Sequence, residues 1–344
     1  MATTRMTWLA ALLAVLALAT AACSGGGAPA AGGKPVTVGF SAWPGWFPWQ
    51  VAEEAGIFDQ VGLNVELRWF EGYLDSINAL AAGQLDANAQ TLNDTLASVA
   101  AGADEVIVLV NDNSTGNDQV IVRDGITTIN DLKGKRIGVE VGVVDHFLLL
   151  LGLESAGLRP EDVQIVPLET GAAAAQFATG TSDLDAVAVF APFTTQALQR
   201  PGSKTLFTSA DFPGSIPDHL VVSAQLVEQD PQTVQRLVDA WFATLDYIRE
   251  HPDEAIAIMA RRAGVSIEHY RSYEAGTTIF SLEDNLKAFQ PGSDFTSLEF
   301  AANRIADFLV DTGLIAARPE LDGVFDPRFV RDLAARVPQE EPAA

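Results

Sequence analysis

From residue 35 onward the chain repeats one unit: a short β-branched run, a turn, then a segment with helical spacing of apolar residues. PVTVGF (35–40), LNVELRWF (63–70), LDANAQ (85–90) and EVIVLVNDN (105–113) read as strands. WQVAEEAGIF (49–58), YLDSINALAAG (73–83) and TLNDTLASVAAG (91–102) read as the helices between them. The middle of 105–113 is apolar at every position, as expected of a parallel strand covered on both faces. Such alternation restricts the chain to an α/β fold with open sheets.

The pattern then restarts. DLKGKRIGVE (131–140), VQIVPL (163–168) and LDAVAVF (184–190) read as strands, and 143–157, 171–180 and 191–200 as helices. DHLVVS (218–223) adds a strand, after which the chain turns mainly helical over 230–252, 253–264 and 298–313. No long polar linker separates the two modules. Two lobes follow, sharing crossing segments near 115–122 and 214–223, with a ligand crevice between them.

The first residues give an address. Arg5 precedes an apolar run, Trp8 to Ala22, and small residues lead into Cys23 and SGGGAPAAGG. This is the layout of a signal peptide over 1–22. Cys23 is the only cysteine, so no intrachain disulfide forms. Its setting resembles a bacterial lipoprotein cleavage box, with 23–34 as lipidated cysteine and flexible tether. An exported protein, held at the outer face of the cell membrane or in the periplasm only through that lipid, is the expected location. A net charge of -24 argues against binding phosphate backbones and anionic lipid heads. The same charge, with no heptad run, favours a monomer.

SAWPGWFPWQ (41–50) holds three tryptophans beside two prolines. It reads as a loop that presents flat apolar faces to a ligand; the alternative is a plug under a neighbouring helix.

Five segments together resemble a known family: VGFSAWPGWFPWQVAEEAGIF, GLNVELRWFEG, INALAAGQLDANAQTLNDTL, INDLKGKRIGV and FATGTSDLDAVAVFAPF. The chain is similar to substrate-binding proteins of ABC importers in the nitrate, sulfonate, taurine and thiamine-precursor group, the NMT1/THI5-like proteins. The resemblance implies a periplasmic-binding-protein-like type II fold, with lobe I over 35–120, lobe II over 121–215, and a return to lobe I over 216–344. It implies a small-molecule solute and a permease with a cytoplasmic ATPase as partners, no cofactor and no catalysis.

It also implies a pocket built from loops that follow strand ends. Those loops hold Trp43, Trp46, Phe47, Glu71, Tyr73, Asn93, Asp94, Asn117, Asp118, Asp145, His146, Phe190 and Phe193. Asp218 and His219 lie near the returning crossover. The set contains acids and aromatics but no lysine or arginine. Ring faces and carboxylates suit a cation or an aminated heterocycle, so the expected solute is nitrogen-rich or cationic: an aminopyrimidine, amine or urea-like compound. The alternatives are a sulfonate- or nitrate-type anion, held by helix N-termini, or a pyrimidine-synthase-like enzyme on the same fold. Against an enzyme stand the leader and the lack of GxSxG, HExxH and GxxxxGK[ST] motifs. The pair Asp145-His146 alone is no metal site.

Processing before Cys23 makes a definite prediction. Intact-mass analysis of membrane-extracted protein should show a diacylated or triacylated Cys23 at the mature N-terminus. An unmodified cysteine with cleavage elsewhere excludes the anchor.

Overall fold

A computed structural model describes residues 34–337. The expected leader, Cys23 and all but the last tether residue lie outside the described residues. The first module runs β1 (Val36–Phe40), α1 (Pro48–Glu54), α2 (Ile57–Gln60), β2 (Val65–Trp69), α3 (Tyr73–Ala81), β3 (Ala87–Thr91), α4 (Leu92–Ala100) and β4 (Glu105–Ser114). The second runs β5 (Asp118–Val122), β6 (Arg136–Val139), α5 (Val144–Ser155), β7 (Gln164–Pro167), α6 (Thr170–Ala178), β8 (Ala186–Phe190), α7 (Phe193–Ala197) and β9 (Lys204–Thr208). β10 (Pro217–Ser223) follows, and then α8 (Ala224–Gln229), α9 (Pro231–Glu250), α10 (Pro252–Ala263) and α11 (Ile267–Ser272). β11 (Thr277–Ile279), α12 (Leu282–Ala288), α13 (Leu298–Asp311) and α14 (Arg328–Arg336) complete the chain.

Two sheets result. One has the order β11-β4-β10-β3-β1-β2, the other β7-β6-β8-β5-β9. The two α/β lobes expected from the alternation are therefore present. In each sheet the parallel strands alternate with helices, and an antiparallel strand enters between them. β4 corrects one expectation. It is buried at all ten positions, yet it pairs antiparallel with both β10 and β11. Its apolar run reports burial on both faces, and burial alone does not set strand direction.

The chain crosses from the first sheet to the second between Ser114 and Asp118 and returns between Thr208 and Pro217. The crossings are tied to each other. Ser114 N–H donates to the Ile216 carbonyl at 2.9 Å, and Gly116 N–H to Ser209 Oγ at 2.8 Å. The C-terminal helices return to the first lobe: α9 and α10 pack on α1, α13 on α4, and α14 on β4.

The aromatic stretch divides between two tasks. Pro48 opens α1, where its missing N–H costs nothing. Trp49 then points into the core, 4.9 Å from Trp241 and stacked on Phe58 at 6.3 Å. Phe47 is also core, stacked on Trp69 at 6.2 Å. Trp43 and Trp46 turn instead toward the gap between the lobes. Trp49→Ala should lower unfolding free energy by about 3–5 kcal/mol, checked by urea denaturation; a loss below about 1 kcal/mol contradicts this packing.

Candidate functional site

The cleft between the sheets narrows to a cavity of about 10 Å³. The first lobe lines it with Trp43, Trp46, Tyr73 and Thr91, and the second with Asp118, Val144 and Phe190. Ile216 and Asp218 close it from the returning crossover. Such a volume holds about one water molecule. A larger solute requires the lobes to part.

The aromatic wall spans both lobes. Phe190 meets Trp43 and Tyr73 edge-on, each at 6.3 Å, and Tyr73 lies 5.2 Å from Trp46. Trp43 Nε1–H donates to Asp112 Oδ1 at 2.9 Å. Gly45 permits this approach, since a Cβ there would fall 1.9 Å from the Asp112 carboxyl. Trp46 Nε1–H has no acceptor among the described residues, although it is buried.

The acids are buried without basic partners. Burial pushes Asp118 up to about 7. Asp112 is pushed up to about 8, by burial first and by the charge of Asp118 second. Asp218 stands opposite Asp112 in the strand register and is raised strongly, by burial and then by Asp112. Neither oxygen of Asp218 has a well-aligned hydrogen-bond donor among the described residues.

Two further acids reach across the cleft. Asp94, raised to about 7 by burial, accepts from Val144 N–H of the other lobe at 3.2 Å. Glu140, also raised by burial, accepts from Leu74 N–H at 3.3 Å and from Thr170 Oγ at 2.8 Å.

The remaining expected residues take other places. Asn93 is buried and donates to Asp94 at 2.7 Å. Asn117 ties the crossover to the C-terminal region, donating to the Tyr273 carbonyl and Thr277 Oγ at 2.7 Å each. Asp145, in the first turn of α5, is buried with its carboxyl 2.5 Å from Thr170 Oγ. His146 is half-buried beside Gly142, and Phe193 backs Phe190 at 5.6 Å. Glu71 is exposed and accepts from Trp69 at 2.8 Å. His219 lies inside the first sheet, fully buried, where burial lowers its pKa to about 3 and keeps it neutral. Asp112 and Glu140 escaped the loop-based reading because they sit at or just past strand ends. The polar triplet closing EVIVLVNDN and the acid closing RIGVE were the available signals.

Residues 43–255 match the family described as NMT1/THI5 like. The chain belongs to that family. A provisionally named binding protein of Brucella abortus (strain 2308) is 28% identical over 265 residues, covering 75% of this chain and 81% of that protein. A protein of Escherichia coli (strain K12), provisionally named as aliphatic sulfonates-binding, is 28% identical, covering 68% and 73% of the two chains. The taurine-binding periplasmic protein of the same organism is 30% identical over 63% of this chain and 61% of its own. The alkanesulfonate-binding protein SsuA from Xanthomonas axonopodis pv. citri, solved with MOPS, superposes with a TM-score of 0.72. It is 19% identical and covers 85% of this chain and 98% of its own. The fold is thus the type II periplasmic-binding-protein fold, and the chain is a member of the binding-protein superfamily; the curated relatives named here are binding proteins, while the structures that share the fold also include the desulfurization enzyme DSZB, 22% identical with a TM-score of 0.62.

These relatives correct the expected ligand. Those with a named solute bind sulfonates or taurine, which overturns the nitrogen-rich or cationic reading. The physical source of the error is the assumed charge of the acids. Read from sequence they are anions that repel an anion. Burial raises these carboxyls to about 7 and 8, so near neutral pH they are partly protonated and can donate a hydrogen bond.

A stability profile tests this protonation. Above about pH 4 the unfolded chain has released these protons while the folded chain keeps them. Stability should therefore fall as pH rises toward the folded values near 7 and 8. Melting temperature measured across that range should drop, and Asp118→Asn with Asp218→Asn should flatten the drop. An unchanged slope in the double variant means those acids are ionised in the fold.

Proposed function

We propose that this chain is the solute-binding component of an ABC importer and captures an anionic, sulfonate- or taurine-like solute in the interlobe cleft. Its partners are that solute and the importer's permease with its ATPase. The lipid at Cys23 anchors it outside the membrane, and the charge of -24 keeps it monomeric. The observation that supports an anion most directly is Trp46 Nε1–H, a buried donor lining the cavity with no acceptor among the described residues. An indole can only donate, so it needs an acceptor such as a sulfonate oxygen.

The rest of the wall suits the same task. Protonated Asp118 and Asp218 present O–H groups to oxyanion oxygens, and Trp43, Tyr73 and Phe190 enclose a short carbon chain. An arginine is unnecessary where neutral donors converge in a desolvated site. For a taurine-like solute, the amino end meets whichever acid ionises.

Thermal-shift titration with taurine, alkanesulfonates and nitrate tests the reading. A solute at about a hundred times its Kd adds about 2.7 kcal/mol of apparent stability. Sulfonates should stabilise the protein, and more strongly near pH 6 than near pH 9, because rising pH ionises donors needed by the anion. Trp46→Phe should weaken binding by about 1.5–3 kcal/mol while keeping the ring. Absence of any sulfonate shift at either pH removes the assignment.

A further inference from the structure

Helices α3 and α5 both start at the cleft, and neither carries its own cap. Their N-cap positions are Gly72 and Val143, and no side-chain hydrogen bond is made from either. A glycine or valine side chain has no oxygen with which to satisfy the first-turn N–H groups. The missing acceptors come from the opposite lobe, in both directions. Asp94, in the first turn of α4, accepts from Val144 N–H at the start of α5. Glu140, just beyond β6, accepts from Leu74 N–H in the first turn of α3.

Each acid is held in aim by its own lobe. Thr91 Oγ–H donates to Asp94 at 2.6 Å and Asn93 Nδ2–H at 2.7 Å. Thr170 Oγ–H donates to Glu140 at 2.8 Å. Both carboxyls are buried, Asp94 2% and Glu140 7% exposed, so their interactions with the helix ends are weakly screened. α6 provides the contrast. It is capped within its own lobe by Glu169, which accepts from Gly171 and Ala172 N–H at 2.9 Å each.

We propose that Asp94 and Glu140 form a reciprocal interlobe latch: each lobe caps a helix of the other, and opening the cleft uncaps both helices at once. The latch holds the lobes together on protein groups alone, around a cavity of about 10 Å³ that is too small for a sulfonate. A solute is admitted only after both contacts break. An anionic solute then finds the same two helix N-termini exposed, so the latch and the solute compete for them. The latch goes beyond the importer reading and holds for any solute.

Small-angle scattering and acrylamide quenching of tryptophan fluorescence test the latch on the full chain without added solute. Asp94→Ala with Glu140→Ala removes both acceptors and should increase the radius of gyration and the quenching of the cleft tryptophans. Glu140→Ala alone carries the test if the double variant does not fold. Asp230→Ala should leave both readouts at wild-type values, because it removes the cap of α9, whose acceptor and helix belong to the same lobe. Wild-type values in the folded latch variants overturn the proposal. An equal response in Asp230→Ala also overturns it, by assigning the change to general loosening. Neither readout uses a solute, so failure of the importer reading leaves the test intact.

Discussion

Strand β10 lies between β3 and β4, antiparallel to both, and the rest of the architecture depends on that placement. The chain leaves the first sheet at the end of β4 and must come back beside the strand it left. The second lobe is therefore an excursion with two adjacent crossings, pinned by Ser114, Gly116 and Ser209. The returning strand also brings Asp218 opposite Asp112 at the floor of the cleft. Backbone pairing that holds the lobes together thus concentrates acidic groups where the lobes meet.

That concentration is costly if the acids are ionised. Isolated buried charges are so unfavourable that a group takes up a proton instead. The cavity wall offers no lysine or arginine to offset them. Neutralisation turns the cleft from a field that rejects anions into a set of O–H donors. The formal charge of -24 counts these buried acids as ionised, so it says little about the solute the cleft takes. Composition and site chemistry separate here because burial changes the charge state of the acids in question.

Much of the fold was legible because periodicity reports burial directly. β1, β2, α3, α5 and α13 fall within a few residues of where spacing and glycine stops placed them. β5 falls within the crossing strand expected near 115–122, whereas β9, β11 and α14 were not singled out, since they are short or outside the repeating unit. Of the expected pocket residues, Trp43, Trp46, Tyr73, Asp118, Phe190 and Asp218 converge on one cavity. Glu71, Phe47 and His219 do not line it, because adjacency to a strand end does not fix which way a side chain points. The charge of the acids was not legible at all. It depends first on burial, and then on the meeting of Asp112 with Asp218, which are far apart in sequence and come together through β10.

The cross-lobe caps extend the same logic to motion. A helix end exposes several N–H groups that something must accept. Where the acceptor comes from the same lobe, as at α6, the helix is indifferent to closure. Where it comes from the opposite lobe, as at α3 and α5, helix capping and lobe closure become one equilibrium. The aromatic contacts of Phe190 with Trp43 and Tyr73 add apolar attraction to closure without directional demand. Directional and non-directional contacts therefore converge on one closed geometry.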